Sequence, residues 1–183
     1  MLRGLNFFID NYHKSQDPIS ETAPYIGEIY FWRAWFYYDK LKQFGDLPWI
    51  GKALYADSEE LFDTRVSRTV IADSIIADLD KAISLLPEKS MATSGRIHKD
   101  VALLFQSRVA LYEGTWEKYH NGTPFGVVNA DPDRFFRVAV NATRAVIDKD
   151  VYAIEPVGGD KDKGYWSLFN QTDLSANKEV LLW

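Results

Sequence analysis

Three histidines, His13, His98 and His120, are the only nitrogen or sulfur metal ligands in a chain without cysteine. They stand far apart, without a spacing such as His-x-x-x-His, so each reads as a structural or exposed residue. The lack of cysteine also excludes disulfides, thiolate zinc sites and a cysteine nucleophile. No glycine-rich phosphate loop, Gly-x-Ser-x-Gly elbow or kinase motif set occurs. Two acidic clusters, Asn129-Ala-Asp131-Pro-Asp133 and Asp160-Lys-Asp162-Lys-Gly164, place oxygen ligands on alternate residues. Neither has the glycine at position six or the glutamate at position twelve of an EF-hand. Helix capping accounts for Asp131, and a solvated turn for Asp160 and Asp162. Carboxylates that hydrolyse glycosides must face each other across a cleft. Asp78 with Asp80, and Glu59 with Glu60, read instead as solvated surface.

Aromatic side chains are what remains. They make up 15% of the chain and include six Trp. A sugar ring has an apolar face, and stacking on Trp or Tyr buries that face without requiring charge. Useful platforms sit in or beside loops. The loop-adjacent rings are Trp49, Tyr55, Trp116, Tyr119, Phe125, Tyr165 and Trp166, each with packing as its first reading. Trp116, Tyr119 and Trp166 are the ligand-binding candidates to test first. No catalytic, metal or cofactor-binding residue is assigned.

The net charge of −5, with 21 scattered Lys and Arg, lacks the basic excess of a nucleic-acid binder. No apolar run approaches the ~20 residues of a membrane span. With 183 residues, 46% hydrophobic and 26% charged, the chain suits one soluble domain with a sizeable core.

The elements that must position these rings are helical. Residues 2–14 carry Leu2, Leu5, Phe8, Ile9 and Tyr12 on one face. Ser20 is a good cap for a second helix reaching Phe44. Residues 67–86 repeat Ala72, Ile75/Ile76, Leu79, Ala82/Ile83 and Leu86 at helical spacing, and Pro87 ends the run. Residues 98–118 draw one stripe through Ala102, Phe105, Val109, Tyr112 and Trp116. Asp131 as cap and Pro132 at the first helical position open a helix to about Lys149. That helix buries Phe135, Val138/Ala139, Ala142 and Ala145/Val146. Residues 47–61 and 150–156 read as irregular or extended, and Tyr165–Phe169 as one more helical turn. Unequal helices joined by loops suggest antiparallel pairs stacked as a solenoid or irregular bundle.

Residues 28–50 carry the most information. Seven of the nine positions Tyr30–Tyr38 are aromatic. A helix apolar most of the way round is buried on several sides. These rings are therefore expected in the core, on a central helix. Gly45 suits a left-handed cap and Pro48 prevents the helix from resuming. The ordered set Glu28, Arg33, Ala34, Tyr37, Tyr38, Leu41, Phe44, Gly45, Asp46, Leu47 and Pro48 resembles the signature helix of the SusD/RagB family of outer-membrane nutrient-binding lipoproteins. The likeness continues in order. It takes in Ser67-Arg-Thr-Val, Ile75-Ile-Ala-Asp-Leu-Asp-Lys-Ala and Leu85-Leu-Pro87. It then follows Gly95-Arg-Ile-His-Lys-Asp-Val-Ala-Leu-Leu to Ser107-Arg-Val-Ala-Leu-Tyr-Glu-Gly114, and Ala142 to Val180.

That resemblance implies an all-α, tetratricopeptide-like fold over residues 1–183. It implies non-catalytic capture of an oligosaccharide or other nutrient at the outer-membrane surface, and delivery to a TonB-dependent, SusC-like transporter. It also implies a signal peptide, a lipid-carrying cysteine anchor and a further C-terminal region. None of these is in this sequence, which stops within the apolar run Glu179–Trp183, so a truncated chain is expected. The rival readings are a tetratricopeptide-like protein–protein scaffold and a helical glycan-degrading enzyme.

Overall fold

The computed structural model describes residues 1–154, 166, 169–170, 172–175 and 177–182. Among them are five α-helices: α1 (Leu2–Asn11), α2 (Ile19–Phe44), α3 (Arg68–Leu85), α4 (Lys99–His120) and α5 (Pro132–Ile147). A 3₁₀ turn, Tyr12–Lys14, extends α1. The one β pairing among the described residues is the antiparallel bridge between Leu47 and Val66.

From α2 to α5, consecutive helices run antiparallel, as side-chain contacts show. Gly27, Arg33 and Asp46 on the α2 side meet Leu86, Asp78 and Arg68 on the α3 side. Arg68 and Asp80 on α3 meet Glu113 and Gln106 on α4. Ser107 and Glu117 on α4 meet Thr143 and Asp131 at α5. α2/α3 and α4/α5 form two stacked helix pairs, with α1 packed on α2. The core runs through all of α2–α5, with Ile26, Ala34, Leu41, Ile71, Ile75, Leu79, Val109 and Phe135 almost wholly buried. Gly114 lets α4 and α5 approach closely, since a Cβ there would lie 2.8 Å from the Phe136 ring and 3.0 Å from the Pro132 carbonyl oxygen.

The signature residues of α2 prove to be scaffold. The Arg33 guanidinium donates twice to Asp78, at 2.7 Å each, and also to Asn6 Oδ1 and the Gly51 carbonyl. It thus ties α1, α2, α3 and the loop after α2. Asn6 completes the knot by donating to the carbonyls of Ile50 and Lys52. The Tyr37 hydroxyl accepts from the Ile50 amide at 2.7 Å, and the Trp49 ring lies on Tyr37. Asp46 Oδ1 accepts from the Arg68 amide at 2.8 Å and so caps α3 from outside. Gly45 has φ +69°, which glycine adopts without a Cβ penalty. Its ψ of −111° places it outside the left-handed helical well named for this cap.

Several sequence expectations are corrected. Trp32 and Trp35 are 40% and 43% exposed rather than core, because Phe105 of α4 covers one face of Trp35 and the rest of that flank of α2 stays open. Asp78 is buried rather than solvated, because Arg33 meets it from the neighbouring helix. The cap of α2 is Pro18, not Ser20. Ser67 holds the cap position of α3 without a side-chain hydrogen bond, the amide being met by Asp46 instead. Ala145 is exposed. The expected turn at Tyr165–Phe169 and the cluster Asp160–Gly164 fall largely or wholly outside the described residues.

Candidate functional site

Residues i, i+4 and i+7 share one flank of a helix. On α4 this flank carries Phe105, Tyr112, Trp116, Tyr119 and His120, and the end of the aromatic run on α2 lies beside it. The rings form a continuous ribbon. Centroids are 6.2 Å apart for Trp32–Trp35, 4.8 Å for Trp35–Phe105 and 5.4 Å for Phe105–Tyr38. The ribbon continues at 5.7 Å for Tyr38–Tyr112, 6.3 Å for Tyr112–Trp116 and 3.9 Å for Trp116–His120. These spacings lie near the range in which aromatic pairs attract beyond their area burial.

The distal half of the ribbon lines an open groove of about 590 Å³, walled by Tyr38, Leu111, Tyr112, Trp116, Tyr119 and Arg108 among others. A second groove, about 700 Å³, lies on the other side of Trp116 and is bordered by Phe44, Arg65, Phe125 and Val128. Trp116 is the wall between them.

A buried polar lattice fixes that wall. Arg68 makes a two-pronged pair with Glu113, at 2.9 and 2.8 Å, and its guanidinium carbon lies 3.9 Å from the Trp116 centroid. Burial pushes the Glu113 carboxyl up, and Arg68 opposes that shift. The neighbouring buried Glu117 accepts from Thr69 Oγ1 and from the Asp131 amide. The Trp116 Nε1–H donates to the Phe125 carbonyl at 3.1 Å, and His120 stacks on the indole at an interplanar angle of 13°. With a guanidinium and an imidazole each 3.9 Å from its centroid, the indole has little face left to offer. Burial also pushes the Tyr38 phenol up, keeping it a neutral hydroxyl on the groove wall.

Of the three candidates, the structure brings two together. Trp116 and Tyr119 both line the first groove, Trp116 as a clamped edge and Tyr119 as an open ring, 72% exposed. Trp166 is 62% exposed and is not among the residues lining that groove. The sequence reads Tyr38 and Tyr112 as packing residues of their helices rather than as site candidates, and does not single out Arg108. Tyr38 arrives from α2, two helices earlier, and only tertiary packing places it here.

Comparison with known proteins gives a consistent set of likenesses. A family model described as starch-binding and associating with the outer membrane, SusD-like, matches residues 2–111, more than half the chain. SusD-like protein P2 of Formosa agariphila is 26% identical over 167 residues, covering 87% of this chain and 33% of that protein. A SusD-like protein from Bacteroides fragilis superposes with a TM-score of 0.76 at 26% identity, over 98% of this chain and 30% of its own. A laminarin-binding SusD-like protein superposes with a TM-score of 0.67 at 18% identity, over 98% of this chain and 34% of its own. The chain therefore spans about a third of the length of these relatives.

Proposed function

This chain belongs to the SusD-like family, carbohydrate-binding proteins associated with the outer membrane, and from that premise we propose that it is part of a non-catalytic glycan receptor. Capture takes place in the α2/α4 groove. The observation that carries this reading is the open Tyr119 ring beside the rigidly held edge of Trp116 in one groove. A sugar offers C–H faces and hydroxyls. Tyr meets the first with its ring and the second with its phenol, and loses few rotamers in doing so. Trp116, fixed by Arg68, His120 and Phe125, adds a wall that needs no ordering on binding. The described residues lining the groove include no carboxylate. This is a wall suited to holding a glycan rather than to the paired acids of hydrolysis. Starch-like glucans, from the family description, and laminarin, from one structural relative, are the first ligands to try.

Delivery of the captured glycan to a TonB-dependent, SusC-like transporter, and anchoring through a lipid at the cell surface, complete the proposal. Both rest on family kinship alone. Isothermal titration of malto- and laminari-oligosaccharides into the full-length protein tests capture. Saturable binding that weakens in Tyr119→Ala is the expected result. Binding unaffected by changes throughout the groove would place the site elsewhere. Co-purification of the full-length protein with an outer-membrane transporter tests delivery.

A further inference from the structure

The arginines of this chain divide into two groups. Arg33, Arg68, Arg96 and Arg134 each make a two-pronged pair, with Asp78, Glu113, Glu28 and Asp73 respectively. Arg3, Arg65, Arg108, Arg137 and Arg144 make no ion pair among the described residues, and Arg108 is the one of these five that lines the aromatic groove. It is exposed on the wall of the aromatic groove, which Tyr38, Tyr112 and Tyr119 also line. Its charge is felt there, for it draws the Tyr38 phenol downward against the upward push of burial and of Tyr112. Among the described residues, no Asp or Glu lines that groove. A planar guanidinium presents a fork of N–H donors that matches the paired oxygens of a carboxylate or a sulfate.

We propose that the groove takes an acidic glycan, with Arg108 as the anchor for its anionic group and Tyr119 as the stacking ring beneath the sugar. The anion is a uronate carboxylate or a sulfate ester, which share the chemistry a guanidinium reads. The inference rests on the glycan-binding reading above and narrows it to a charge class. Tyr119 and Arg108 are eleven residues apart on one helix, about three turns or roughly 16 Å along the axis. That distance spans several sugar units, so the anchored acid and the stacked ring belong to different residues of one oligosaccharide.

The test uses the full-length protein and three probes of equal length: a neutral malto-oligosaccharide, an oligogalacturonate and a sulfated carrageenan oligosaccharide. Titration calorimetry at low salt should give one or both acidic probes roughly tenfold tighter binding than the neutral one, as a charge-assisted contact at a partly wet site would provide. The advantage should shrink in 0.5 M NaCl, where screening acts within a few ångströms. Arg108→Gln should abolish the preference for acidic over neutral probes and leave the melting temperature unchanged, since the side chain is exposed. Preference for oligogalacturonate alone identifies the uronate, and preference for the sulfated probe alone identifies the ester. Neutral binding equal to or tighter than acidic binding overturns the charge assignment while leaving glycan capture intact, and so does a preference that survives Arg108→Gln. No binding of any probe, neutral or acidic, overturns both readings.

Discussion

Arg33 and Asp78, 45 residues apart on neighbouring helices, are joined by two 2.7 Å hydrogen bonds with both side chains less than a tenth exposed. Burial pushes the Asp78 carboxyl up, opposed chiefly by the Arg33 guanidinium against it and also by the Lys81 charge. Breaking such a pair from one side leaves a buried charge without a counterpart. Arg33→Ala should therefore cost ~3–5 kcal/mol in denaturant unfolding, whereas a joint Arg33→Met and Asp78→Leu replacement should cost much less. Equal losses in the single and double variants would show that the pair is not the knot described here.

The ring run on α2 divides by exposure. Phe31 is buried, and its removal as Phe31→Ala should cost ~3–5 kcal/mol. Trp35 stacks on Phe105 but leaves 43% of its surface open, so Trp35→Ala should cost about half as much. Thermal unfolding of the two variants measures the difference, and a larger loss for Trp35 would refute the assignment of faces.

Much of the scaffold was legible before any coordinates. The stripes through Ala72–Leu86 and Ala102–Val109 are helical in period, and those positions are buried as the period requires. What a single stripe cannot reveal is which flank a neighbour covers. Aromatic density reads Trp32 and Trp35 as core, yet they stay 40% and 43% exposed, with Trp35 covered on one face by Phe105 of α4. Asp78 looked solvated because its partner Arg33 lies far away in sequence. The site shows the same limit. Trp116 and Tyr119, three residues apart, share a flank by local geometry alone. Tyr38 joins them only because α2 packs beside α4, and the clamp on Trp116 depends on Arg68 from α3.

Close helix approach gives a steric prediction. In Gly114→Ala the new methyl would meet the Phe136 ring at 2.8 Å and the Pro132 carbonyl oxygen at 3.0 Å. The ring can move and the carbonyl cannot without shifting the start of α5. The expected loss is about 1–3 kcal/mol, read by chemical denaturation. Gly122→Ala, with nothing near its Cβ but φ at +75°, should lose less, through backbone strain alone.

Glu88 bridges Lys99 at 2.7 Å and Lys149 at 2.6 Å, linking the start of α4 to the segment after α5. Lys149 and then Lys99 hold its carboxyl down from 4.5 to about 2. A depressed carboxylate stabilises the fold above its unfolded value and stops doing so as pH falls through the folded one. The contribution is modest, because the side chain is 44% exposed and water screens it. The melting-temperature gap between the native chain and Glu88→Gln should be steady near neutrality and close between pH 4.5 and 2. A gap that widened on acidification would contradict the assignment.

The three aromatic candidates should separate by what holds them. Tyr119 is open and free of structural duty beyond a 5.8 Å approach of the Lys118 ammonium to its ring. Tyr119→Ala should leave the melting temperature almost unchanged and weaken glycan binding by up to about tenfold, the equivalent of ~1.4 kcal/mol and the scale of one lost ring contact. Trp116 is tied to Arg68, His120 and Phe125. Trp116→Ala should therefore lower stability as well as affinity, because the guanidinium beneath it loses its cover and the two grooves merge. Trp116→Phe keeps a ring against Arg68 but deletes the Nε1–H that holds Phe125, so it should restore most of the stability and only part of the affinity. Trp166 lies apart from the groove lining, and Trp166→Ala should leave affinity unchanged if capture takes place where Tyr119 stands. The measurement is one calorimetric titration series on the full-length protein, paired with thermal unfolding of every variant. A loss confined to Trp166→Ala, with Tyr119→Ala binding normally, would move the glycan site away from α4.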